Sequence, residues 1–135
     1  MILLLRGLFL LILISMLGVT SWASYRCPLF AVPGDVASHP WFIATLFDAY
    51  WGFLTFFVWV CWKQTSSLAR IAWFLAIMLL GNIAMAAYCL AELSGPAPAG
   101  GTSQLLVMRR EGGGGLGMCL AAVGIIVVAG AWMSR

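Results

Sequence analysis

A chain of 135 residues has room for one domain, and with 64% hydrophobic residues, 8% charged residues and a mean hydropathy of +1.06 it is composed for lipid rather than water. Folded as a water-soluble globule it would expose large contiguous apolar surface, which a bilayer accepts without penalty. The net charge of +3 rests on seven Lys and Arg scattered singly apart from Arg109 and Arg110, so there is no basic stripe for nucleic acid to follow, which argues against such a partner.

Four apolar stretches approach the roughly 20 residues that a spanning helix needs. The first, Ile2 to Ala23, has an early Arg6 and small residues at Ser21, Ala23 and Ser24, as a secretory signal would. Its apolar part is too long for a typical signal core, so an uncleaved anchor is expected. The loop that follows, Tyr25 to His39, carries Pro28, Pro33 and Gly34. The second stretch, Trp41 to Trp62, is bracketed by Trp41 at one end and by Trp59 and Trp62 at the other, and at 1.5 Å per residue it is about 30 Å long, the thickness of a hydrocarbon core. His39 stands just outside it, so His39, Trp41, Trp59 and Trp62 are read as interface residues.

Lys63 to Ser67 reads as a tight polar turn into the third stretch, Leu68 to Leu90. Residues 93–115 form a Gly- and Pro-rich connection, whose "LLVM" is placed at the membrane surface. The fourth stretch, Leu116 to Met133, is short and Gly-rich, and Gly117, Ala121 and Gly124 suggest close packing on a neighbouring helix. The expectation is an all-α integral membrane helical bundle: residues 1–92 a core of three transmembrane helices, residues 116–135 a fourth.

Four crossings return both termini to one side. Counting Lys and Arg with the N-terminus inside puts Arg6, Lys63, Arg70 and Arg135 inside and Arg26, Arg109 and Arg110 outside, a margin that favours this orientation in a bacterial inner or intracytoplasmic membrane.

Asp48 interrupts the second stretch. Insertion scales charge a central Asp roughly 2.5 to 3.5 kcal/mol, so such a residue normally faces the bundle interior, a partner or water. Ala44, Asp48, Gly52 and Thr55 recur at helical spacing and would turn to other helices, leaving Phe53, Phe56 and Phe57 for lipid or packing. Asn82, on an antiparallel third helix, would come level with Asp48 and donate its amide to the carboxylate. Ser15 and Thr20 of the first helix are placed near them, and Arg6 is expected to snorkel to the interface at the opposite end. The cluster of Asp48, Asn82 and Ser15 reads as structural glue between helices or, alternatively, as a proton site.

Other chemistry is thin. His39 is placed in the headgroup zone, with haem or chlorophyll ligation the weaker alternative. Cys27, Cys89 and Cys119 fall near one face and Cys61 near the other, and free thiols are favoured over a disulfide. "GGGGLG", from Gly112 to Gly117, fits a nucleotide-loop pattern literally, but no strand precedes it and a span follows, so a hinge is the better reading. No nucleophile has a positioned base, and no Cys/His spacing suggests a metal. Neither catalysis nor a cofactor is expected.

Three segments, "LLLRGLFLLILISMLGVTSWAS", "HPWFIATLFDAYWGFLTFFVWVCWK" and "LARIAWFLAIMLLGNIAMAAYCL", resemble the domain-of-unknown-function 1475 family of small bacterial and plant membrane proteins over roughly residues 3–92. The specific parts are His39-Pro40-Trp41-Phe42, Asp48 with Tyr50, and Gly81-Asn82-Ile83-Ala84-Met85. The resemblance implies a three-helix membrane core of unassigned activity, from which the fourth stretch departs. The functional expectation is a small non-catalytic subunit packed against larger integral membrane proteins, possible settings being a respiratory or a photosynthetic complex. The alternative is a proton- or cation-coupled transporter or channel component using Asp48 and Asn82.

Overall fold

The computed structural model describes residues 1–95, 104, 107–109, 112 and 114–133. They form an all-α fold: α1 (Ile2–Arg26), a 3-10 turn (Leu29–Ala31), α2 (Gly34–Ala37), α3 (Pro40–Lys63), α4 (Ser67–Leu80), α5 (Asn82–Ser94) and α6 (Gly114–Met133). Most of the connection expected over residues 93–115, including Arg110, lies outside the described residues, as does Arg135.

Three helices are long and apolar enough to cross a membrane: α1, α3 and α6. Local chemistry sets their ends. Pro40 opens α3, where its missing N–H costs nothing, and the His39 side chain caps the same turn by accepting from the Trp41 amide at 3.3 Å. Ser66 caps α4 by accepting from the Ala69 amide at 3.5 Å.

The third apolar stretch does not cross as one rod. Gly81 takes φ 53° and ψ −126°, which ends α4 and starts α5. On a straight helix Trp73 and Tyr88 would stand about 22 Å apart. Instead their ring centroids are 4.8 Å apart, so α5 doubles back on α4 as a helical hairpin. Gly81 itself is buried, and both its polar backbone groups are used: its amide donates to Ile77 at 2.8 Å and its carbonyl accepts from Met85 at 3.1 Å. A tight turn at membrane depth requires that satisfaction, because no water is there to supply it.

Neighbours give the depth of the turn. A Cβ at Gly114, the start of α6, would lie 3.2 Å from Ala69 in the first turn of α4; one at Gly117 would lie 3.0 Å from the Trp73 indole, and one at Gly124 2.8 Å from Leu79. Helix α6 therefore runs parallel to α4, and the hairpin tip stands level with its midpoint. From there α6 runs on past the hairpin tip, and Trp132 stacks edge-on against Phe30 at 5.9 Å, beside the α1–α2 connection. Gly117, Ala121 and Gly124 are the buried positions of α6, so the small-residue stripe packs on a neighbour as its spacing suggests.

The open end of the hairpin lies at the N-terminal end of α1, where Arg6 reaches Leu93. It is also the side on which α3 ends and α6 begins. With α1, α3 and α6 the helices long and apolar enough to cross, α6 ends on the side opposite to the start of α1. This corrects the expectation that both termini share a side, because a run of apolar residues long enough to cross has been spent on going halfway and returning.

The core is aromatic: Trp73, Tyr88, Ile77, Val60, Ala76, Ala84 and Ala121 are buried, with Phe53, Phe56 and Phe57 packed against them. The expected facing of α3 is reversed. Phe53, Phe56 and Phe57 point inward, whereas Ala44, Asp48, Gly52 and Thr55 are exposed, because flat rings fill the space against two converging helices better than small side chains do.

Candidate functional site

Two polar features stand out, and the expected cluster is neither of them. Asp48 and Asn82 are both exposed, and no hydrogen bond joins them among the described residues. Asn82 opens α5 at the hairpin tip, while Asp48 stands about 140° around α3 from Phe53, which packs on Gly81. Ser15 is exposed and donates to its own helix, at Ile12, over 3.0 Å; Thr20 does the same to Met16 over 2.6 Å. The reversal at Gly81, invisible as a turn in an apolar run, is what carries Asn82 to the hairpin tip.

The first feature is a clamp at the open end of the hairpin. Lys63, the last residue of α3, and Glu92, near the end of α5, form an ion pair with relative exposures of 1% and 8%. The Lys63 ammonium also lies 5.1 Å from the centre of the Trp59 ring. Beside the pair, Gln64 is 1% exposed and donates through Nε2 to the Tyr88 hydroxyl at 3.2 Å. Its Oε1 has no partner among the described residues. Arg70 Nε donates to the Gln64 carbonyl at 2.8 Å.

On the other flank, Arg6 Nη2 donates to the Leu93 carbonyl at 2.6 Å. The guanidinium thereby fills one of the carbonyl positions left open at the end of α5, and a cation suits the negative end of the helix dipole. Arg6 is consequently a tie between α1 and α5. Arg109 Nε donates to the Trp62 carbonyl at 3.2 Å and lies over the Trp62 ring at 5.8 Å, on the same side as Lys63 and opposite to the expected one.

Sequence reasoning set Lys63 in a solvated turn and passed over Gln64, Tyr88 and Glu92. A signal was present: a lone Lys ends the second apolar run and a lone Glu ends the third, which pairs them once the third run returns to its starting side.

The second feature is Asp48 itself. It belongs to the uncovered face of α3 with Ala44, Gly52 and Thr55, and a Cβ at Gly52 would meet nothing within 4 Å. The hydroxyl of Thr55 is satisfied within its own helix, donating to Trp51 at 2.9 Å. Asp48 has no such local partner among the described residues.

Among the interface residues, Trp41 is 77% exposed and Trp62 is exposed, whereas Trp59 is half-buried and packs edge-on against Phe56 and Tyr88. His39 is exposed and serves as the cap of α3. All four cysteines are free. Their expected sides change with the hairpin: Cys89 and Cys119 join Cys61 on the Lys63 side, leaving Cys27 at the far end of α1. Among the described residues no group of His, Cys, Asp and Glu is arranged to hold a metal ion.

A family described as "Protein of unknown function (DUF1475)" matches residues 2–134, and the chain belongs to it. The match includes the fourth apolar stretch, so α6 is part of the family pattern and not a departure from it. No curated protein and no solved structure matches the chain.

Proposed function

For this member of the DUF1475 family we propose a role as a small non-catalytic integral membrane subunit that packs against larger membrane proteins. The observation that carries the reading is the uncovered face of α3. A carboxylate at membrane depth, flanked by Ala44, Gly52 and Thr55, is costly against lipid and suited to close approach by another helix. Respiratory and photosynthetic complexes are settings of the right kind. Native electrophoresis after gentle solubilisation tests the reading: co-migration with larger integral proteins supports it, and a free 14.6 kDa species alone overturns it.

The proposed orientation has the N-terminus inside a bacterial inner or intracytoplasmic membrane. Support comes from the arginines and lysine placed by the hairpin: Arg6, Lys63, Arg70 and Arg109 lie on the side of the α1 N-terminus, while Arg26 lies on the other.

A second reading, a proton- or cation-coupled transporter or channel component, is favoured by the hairpin tip, which exposes Asn82 at half depth. Asp48 is on the far side of α3, so a path using both residues needs more than one copy of the chain. Liposome flux unchanged by Asp48→Asn would remove it.

A further inference from the structure

Asp48 lies about 22 Å along α3 from Lys63, itself engaged by Glu92. Arg6, Arg70 and Arg109 are held at the same end as Lys63, each by a backbone carbonyl. None of these cations is level with Asp48. The residues that share its face are Ala44, Gly52 and Thr55, the last with its hydroxyl already used within the helix, bordered by the exposed rings of Trp41 and Trp51. The face therefore presents one negative group among small residues between two exposed tryptophans, and no ion pair joins it to Arg26, the cation at the end of α1 on its own side, or to any other described residue.

Resting on the subunit reading, we propose that this face of α3 seats a transmembrane helix of a different integral protein, and that this helix presents a Lys or Arg side chain to Asp48. A long basic side chain reaches a carboxylate along a small-residue strip while its stem lies against apolar surface. Pairing the two offsets the cost of holding either alone in hydrocarbon. A second copy is the poorer occupant: a two-fold contact centred on this strip brings Asp48 against its own counterpart, and two carboxylates repel.

The test reconstitutes the purified, donor-labelled protein in phosphatidylcholine vesicles with acceptor-labelled synthetic Leu/Ala helices of about 24 residues. The helices carry Lys, Leu or Glu about 10 Å below one end, at the depth of Asp48. Energy transfer is expected to show about tenfold tighter association with the Lys helix than with the Leu helix. Asp48→Asn removes the difference, and Asp48→Lys transfers the preference to the Glu helix. Because Asp48 is exposed, both variants should keep the parent's thermal unfolding in detergent. Equal binding of Lys and Leu helices, or a preference that survives Asp48→Asn, overturns the proposal.

A photocrosslinker at Thr55 in native membranes separates this failure from that of the underlying reading. Crosslinks to another integral protein, with no Lys preference in vesicles, leave the subunit role standing and overturn the charge pairing alone. Crosslinks only to a second copy overturn the choice of occupant, and an absence of crosslinks to any protein overturns the subunit role too.

Discussion

Lys63 and Glu92 meet across the mouth of the α4–α5 hairpin, joining the last residue of α3 to the end of α5. Both side chains are buried, so removing one strands the other. Glu92→Ala or Lys63→Ala is expected to cost roughly 3 to 5 kcal/mol. The double replacement Lys63→Met with Glu92→Leu is expected to recover most of that loss, since neither charge is then left alone. Reversible unfolding of the three variants in mixed micelles measures it.

Gly81 is the second sensitive point. Its φ of 53° is poorly tolerated with a side chain, and an added Cβ would come within 2.6 Å of the Phe53 ring. Gly81→Ala is expected to destabilise by about 1 to 3 kcal/mol. Adding Phe53→Leu relieves the collision but not the backbone strain, so the double variant should recover only part of the loss. Thermal unfolding of the single and double variants separates the two contributions.

The crossing pattern can be read chemically. In a background without native cysteines, single cysteines at Ser67 and Ser94 should react with an impermeant maleimide from one side of sealed vesicles, and one at Met133 from the other. Labelling of Ser67 and Ser94 from opposite sides would mean that α4 and α5 form one crossing.

The seam between α4 and α6 predicts a graded response. Gly124→Leu and Gly117→Leu force bulk against Leu79 and Trp73 and are expected to cost about 1 to 3 kcal/mol each. Gly130→Leu, where a Cβ meets nothing within 4 Å, should leave the unfolding midpoint unchanged.

The medium and the helices were legible in the residues, because apolar length is a one-dimensional property and a spanning helix satisfies its own backbone. The small positions of α6 were also legible, since Gly117, Ala121 and Gly124 share a face at any helical spacing. The reversal at Gly81 was not: one glycine inside an apolar run changes the average hydropathy hardly at all, yet its positive φ turns the chain around. The other misplacements trace largely to that residue. Asn82 moved to a tip, Cys89 and Cys119 moved to the other side, and Phe53, Phe56 and Phe57 turned inward to meet two helices instead of one.

Since the hairpin ends level with the middle of α6, the molecule has the outline of a wedge. The leaflet next to the α1 N-terminus accommodates the cross-section of five helices, the opposite leaflet that of three. Each helix is about 10 Å across, so the two monolayers surrender unequal area to the same chain, and a bilayer bowed outward on the five-helix side fits it better than a flat one.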